Sequence, residues 1–249
     1  MDLLSLLGIS IAFAAIITGN LLDGGALAPL INLPAALVVF GGTLGAITLQ
    51  TPLSVLKRGF SLLRWVIFPP KHSMKVHLQK ILAASKAARR EGILGLEKIG
   101  QKEKNPILRK GLLLVSDGFE PENIRMQLEE EISLAEQRDV RAVSIFDHMG
   151  GYAPTIGIIG AVMGLIQVMS HLDQPEMVGS GIATAFVATI YGVGFANLLL
   201  YPIAGKLREV IREMIFADAL ALEGVVAIAE GEHPSVIESR LRGLAGLSK

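Results

Sequence analysis

The chain has 249 residues, a formal net charge of zero, 51% apolar residues and a mean hydropathy of +0.52. That balance is richer in apolar residues than a soluble domain and points to a polytopic membrane protein. The absence of cysteine excludes a disulfide scaffold, a thiolate metal site and a cysteine nucleophile.

The first run, LLSLLGISIAFAAIITGNLL (3–22), lacks the basic region and small-residue cleavage site of a signal peptide and is expected to be retained. With the runs 30–50, 151–172 and 180–203 it gives four stretches long enough to span a bilayer, since ~20 apolar residues rising ~1.5 Å each cross the hydrocarbon core. DGGALAP (23–29) and DQPEMVG (173–179) join them pairwise as tight hairpins.

All 23 Lys and Arg residues fall in 51–149 or beyond residue 203. The positive-inside rule then places these two segments and both termini in the cytoplasm, with Asp23, Asp173 and Glu176 of the hairpin turns outside. SLLRWVIFPP (61–70) puts Trp65 and Phe68 at the interface before Pro69 and Pro70 end the helix. Apolar residues at 124, 128, 132, 135, 143 and 146 form one helical stripe, with Pro121 suited to its first turn. A second stripe at 207, 211, 214, 221, 222 and 225 extends the last span into a long helix that Gly231 and Pro234 stop. No strand alternation or repeat is present. The predicted class is an all-α polytopic membrane protein: transmembrane helices 1 and 2 in 1–50, a helical cytoplasmic domain in 51–149, helices 3 and 4 in 150–203, and a helical tail in 204–249.

Enzyme chemistry finds no support. The five histidines are scattered, and His72 with His77 is not a ligand spacing. Neither a GxxxxGK phosphate loop nor a G-x-S-x-G elbow occurs. No cofactor, metal or nucleic-acid partner is expected.

The second pair of spans carries more. Gly157, Gly160 and Gly164 make one narrow strip, and Ala185, Ala188, Gly192 and Ala196 another. Such strips mark close backbone approach in lipid, either to a partner helix or within the chain. Pro154 is comfortable in the first turn of a helix. Pro202 is not, because the helical pattern continues past it and its ring leaves the carbonyl of Leu198 unbonded; the two prolines at one depth point to a hinge. The polar groups Thr155, Thr184 and Thr189 could line a path or simply bond their own backbone. No Asp, Glu, Lys, Arg or His lies within any span beyond its ends, yet ion pathways normally need an ionisable group there. Any ion-carrying carboxylate must come from another chain.

MDLLSLLG, VVFGGTLGA (38–46), ARREGILGLE (88–97), APTIGIIGAVMGLI (153–166), ATIYGVGFANLLLYPIAGKL (188–207) and GEHPSVIESRL (231–241) occur in this order. Together they resemble the MotA/PomA family, the ion-channel stator subunits of the bacterial flagellar motor. The resemblance implies a pentamer in the inner membrane around a dimer of MotB/PomB-type subunits, each bringing one helix with an essential Asp. It also implies functional prolines at Pro154 and Pro202, an ion-facing hydroxyl at Thr189, and contacts with the rotor protein FliG through Arg89 and Glu97. Arg90 offers an alternative register for the basic member. Sodium-driven relatives have a hydroxyl where this chain has Ala161, so protons are the expected ion, with sodium the alternative. A TolQ/ExbB-type energiser is the nearest rival, but it usually has three spans; a small-solute transporter should carry its own intramembrane charge or solute site.

Overall fold

The computed structural model describes residues 2–70, 74–92 and 94–246, without the side chains of 175 and 176. His72 and the Glu176 side chain therefore lie outside the described residues. The helices in chain order are α1 (Leu3–Leu22), α2 (33–50), α3 (Leu53–Leu62), α4 (Arg64–Ile67), α5 (Met74–Glu91), α6 (Gly95–Lys102), α7 (Pro106–Ser116), α8 (Pro121–Ser170), α9 (175–229) and α10 (Pro234–Leu244). Among the described residues there is no strand, and four helices are long and apolar enough to cross a membrane. The expected all-helical, four-span class holds.

The chain divides into two compact units, one of residues 1–69 and 139–209, the other of 70–138 and 210–249. The long helices α8 and α9 contribute residues to both.

In the first unit, Asp2 caps α1 by accepting from the backbone N–H groups of Leu4 (3.2 Å) and Ser5 (3.4 Å). No residue of α1 is buried, and a helix apolar all round that stays this open has lipid as its solvent. A positive φ at Gly24 turns the chain. Asn32 then caps α2 through the N–H of Ala35 at 2.9 Å. Residues Leu37–Gly41 of α2 and Phe195–Leu200 of α9 take the wider π-helical register. The fourth span begins at Pro175, at the first position of its helix, rather than at 180; proline with its fixed φ suits that place, and the expected seven-residue turn shortens to 171–174.

The second unit is built on an apolar core that includes Leu78, Ile81, Leu96, Leu108, Leu112, Ile124, Leu128, Val225, Ile237 and Leu241. The two predicted stripes supply much of it: Ile124, Leu128 and Ile132 from α8, and Ile211, Ala221, Leu222 and Val225 from α9, are buried. As expected, α9 ends before Gly231, whose φ of 76° only glycine adopts readily, and Pro234 starts the next helix.

Candidate functional site

The two small-residue strips close on each other inside one chain. A β-carbon at Gly157 would stand 2.8 Å from the Ala188 carbonyl oxygen, and one at Gly164 would stand 2.8 Å from that of Gly181. At Gly160 it would meet the Ala188 methyl at 2.8 Å, and at Gly192 the carbonyl of Ala153. Ala185, Ala188 and Ala196 are buried as well. The strips are thus the seam between α8 and α9, and their expected use as seats for a partner helix is replaced by backbone contact within the chain, where small side chains let two helices approach. The opposite faces remain open: Ile158, Val162 and Ile166 on α8, and Phe186, Ile190 and Val193 on α9, are exposed.

Pro154 lies inside α8, so the first-turn reading fails. The apolar stripe that begins at Ile124 and the third span join into one helix of 50 residues, and Pro154 is an interior proline whose ring removes a ladder hydrogen bond. Pro202 stands two residues after the π-helical Phe195–Leu200, a local widening of the ladder of the kind that accompanies bends and functional sites.

The threonines bond their own helices. Thr155 donates to the Tyr152 carbonyl (2.8 Å), Thr184 to Ser180 (3.0 Å) and Thr189 to Ala185 (3.2 Å). Thr155 is exposed, and Thr184, Thr189 and Ala161 are half-buried. Each threonine oxygen keeps a further acceptor lone pair. At Thr184 that capacity is used, because the Asn32 amide donates to it at 2.8 Å. Asn32 belongs to a clamp that sequence reasoning missed: the Tyr191 hydroxyl donates to the Leu30 carbonyl (2.5 Å) and accepts from the Asn32 backbone N–H (3.1 Å). Phe40 stacks on Tyr191 with ring centroids 5.8 Å apart, so the start of α2 is fixed to the fourth span. Asn197 was also passed over; it is exposed and donates to the Val193 carbonyl at 2.9 Å.

Charged groups brace this unit outside its spans. Arg58 grips Asp139 with two hydrogen bonds, of 2.9 and 2.7 Å, while its guanidinium stands 5.4 Å from the Trp65 ring centroid. Asp139 is only 5% exposed, and a carboxylate so buried requires such a partner. The signal was present in the sequence: 139 falls on the apolar stripe, four residues before 143. Asp2 pairs with Lys206, one turn past Pro202. The hydrogen bond from Lys206 is the largest influence holding the Asp2 carboxyl below its ordinary range.

In the other unit, Arg89 and Arg90 end α5 and Glu97 lies in the first turn of α6, all three exposed. Gly92, with φ of 75°, makes the bend between the two helices. Glu97 accepts from Gln101 at 3.0 Å. In the same unit, Glu103 accepts from Lys80 (2.6 Å) and from the N–H groups of Lys104 (2.7 Å) and Asn105 (2.9 Å). Burial pushes the Glu103 carboxyl up, but the hydrogen bonds from Asn105, Lys80 and Lys104 outweigh it and hold the group below the usual carboxylate range.

Two family models match: the MotA/TolQ/ExbB proton channel family over residues 100–217 and the Motility protein A N-terminal region over 6–92. The chain is 35% identical to Motility protein A of Bacillus subtilis over 97% of its own length and 90% of that protein's. It is 29% identical to the chemotaxis protein PomA of Vibrio alginolyticus over 97% and 94% of the two chains. Its fold superposes on the C. jejuni MotAB structure with a TM-score of 0.93 at 27% identity, covering 98% of this chain and 96% of that one. For the flagellar MotAB stator complex of Bacillus subtilis the TM-score is 0.87 at 34% identity, with 96% and 95% covered. With four uncharged spans, mid-helix prolines and this near-full-length likeness, the chain belongs to the MotA/PomA family of flagellar motor stator subunits.

Proposed function

We propose that this stator subunit forms a pentameric ring around a dimer of MotB/PomB-type chains in the bacterial inner membrane, and that protons passing between them step the ring and drive the rotor through FliG. The observation that carries this reading is the absence of any Asp, Glu, Lys, Arg or His within the spans away from their ends, in a fold that matches chains solved as MotAB complexes. The transported ion then needs a carboxylate from the partner. Protonation of that Asp alters its attraction to the faces of α8 and α9, and the ring moves to its next position.

Thr189 offers a hydroxyl oxygen beside this path and Thr155 one at its cytoplasmic end, while Thr184, expected on the same path, has its oxygen engaged by Asn32. Ala161 has no oxygen to give, which disfavours a dehydrated sodium ion more than a proton relayed along water. Pro154 and Pro202 let the cytoplasmic halves of their helices respond to the change. Arg89 or Arg90, together with Glu97, meets complementary charges on FliG; exposed charge pairs favour fast engagement and release. Both termini and the charged segments face the cytoplasm, supported by the confinement of all 23 Lys and Arg residues to those segments.

The test is complementation. Expressed with a MotB-type partner in a stator-less motile strain, the chain should restore swimming that a protonophore abolishes. Swimming that follows the sodium gradient and ignores the protonophore would overturn the choice of ion. Restoration without any Asp-bearing partner would overturn the shared path.

A further inference from the structure

The fourth span is covered on three sides within its own unit. Ala188 and Gly192 close against α8, Tyr191 and Phe195 hold the Phe40 ring of α2 at centroid distances of 5.8 and 4.9 Å, and Leu198, Leu199 and Pro202 share a cleft with Gly8 and Ala12 of α1. The remaining side carries Phe186, Ile190, Val193 and Asn197, all exposed. Steps of three and four residues keep them on one face, and Asn197 is its polar exception.

That amide has bonds to spare. One of its N–H groups donates to the Val193 carbonyl at 2.9 Å, which leaves one N–H and the carbonyl oxygen unspent. Leu198 and Leu199 beside it stand level with Gly8 and Ala12 of the first span, so lipid alone would leave both groups unsatisfied, which hydrocarbon penalises. The open side of α8 in a second copy presents Ile158, Val162 and Ile166, which have no polar atom to give. A carboxyl group answers both. Thr155 and Thr189 have given their hydrogens to their own helices, so each can accept from a carboxylic acid but cannot donate to a carboxylate. Asn197 can do either. It also lies inside the π-helical Phe195–Leu200, a departure from α register that gathers at functional sites.

We propose that Asn197 is the group of this chain that distinguishes the two protonation states of the partner's carboxyl: its N–H donates to the carboxylate, and its carbonyl accepts the O–H once a proton has joined that carboxylate. The proton arrives along the ion path and leaves along it, and the amide itself gains and loses none. Protonation thus trades a charge-assisted hydrogen bond for a neutral one about half as strong, which loosens the partner's hold on this face of the ring. The proposal rests on the shared ion path proposed above.

The full chain and its Asp-bearing partner are expressed together in a stator-less motile strain, and torque per unit is read beside the number of units per motor. Asn197→Leu removes donor and acceptor; Asn197→Thr supplies a hydroxyl that, like Thr189, spends its hydrogen on its own helix. Both should lower torque per unit about tenfold, the size of one lost charge-assisted hydrogen bond, with unit number and melting in detergent unchanged. Asn197→Gln keeps the amide and should keep most of the torque. In infrared difference spectra of the purified complex on acidification, the C=O stretch of the partner's aspartic acid should move to higher frequency in Asn197→Leu, because the acid has lost its acceptor. Full torque in the leucine and threonine variants, a glutamine variant no better than the leucine one, or an unmoved stretch overturns the role. Melting or unit number that falls in step with torque makes Asn197 a packing residue and overturns it too. Because the native chain has no cysteine, Asn197→Cys should form a disulfide with a cysteine set beside the partner's Asp, whereas a disulfide between two copies would assign the amide to a second copy. Swimming without any Asp-bearing partner overturns the shared path and this proposal with it; swimming that needs the partner yet ignores every change at Asn197 overturns this proposal alone.

Discussion

Gly157 shows what one missing methyl group does in this fold. Its α-carbon faces backbone rather than side chain, with the Ala188 carbonyl oxygen 2.8 Å from where a β-carbon would stand, and a backbone carbonyl in a spanning helix cannot swing aside. Gly157→Ala should therefore lower the stability of the purified protein by about 1–3 kcal/mol, the usual cost of overpacking. Thermal unfolding in detergent measures it; an unchanged transition would mean that α8 and α9 are less closely apposed than the structure has them. At Glu103 the effect is electrostatic. Its carboxyl is held below the ordinary value in the folded chain, so its stabilising contribution is present above the unfolded pKa of about 4.3 and is lost as pH falls through the lower folded value. Glu103→Gln should accordingly destabilise the protein near neutrality, and the difference from wild type should shrink as pH drops below the ordinary carboxylate value. Parallel melting curves across that range check the sign.

The sequence displays the long helices α8 and α9 well and their weak points less well. Ile124, Leu128 and Val143 announce one face of α8 by their spacing, and the uncharged run after Ala153 announces the span. Periodicity does not say that the two are one element, and the first-turn reading of Pro154 falls for that reason. The π-helical segment before Pro202 leaves no periodic trace either, because five or six residues of altered register are too few to shift an apolar stripe. Asn32, Tyr191 and Asp139 escape for another reason: each acts across 81 residues or more of sequence, and only the folded chain brings the partners together. For α9 a test follows from the pairing of proline and widened ladder. Pro202→Ala restores a donor and removes the ring, so the helix gains hydrogen bonding while losing its soft point. Stator assembly, counted as fluorescent units per motor, should be retained, while torque per unit should fall several-fold. A loss of assembly equal to the loss of torque would assign Pro202 a packing role.

For the molecule as a whole, composition and charge placement were enough to read four spans and two charged segments, because lipid imposes a strict rule on what may cross it. What a single chain cannot display is what covers its open faces. The exposed apolar sides of α8 and α9 and the exposed Arg89, Arg90 and Glu97 look alike in one chain whether solvent, lipid or a partner covers them. Charge reversal separates these at the proposed rotor contact. Arg89 is in the last turn of α5 and Glu97 in the first turn of α6, both on the surface, and neither takes part in the Lys80–Glu103 brace. Reversing them together, Arg89→Glu with Glu97→Lys, leaves the net charge and the buried core unaltered. Surface changes of this kind usually move stability by no more than about 0.5 kcal/mol. Melting and membrane insertion should therefore match wild type, while swimming speed in soft agar and stall torque drop sharply. Compensating reversals on the rotor protein should restore part of the torque, since a contact made by opposite charges is indifferent to which side carries which sign. Normal torque in the double variant with an unaltered rotor would place the rotor contact elsewhere on the charged unit.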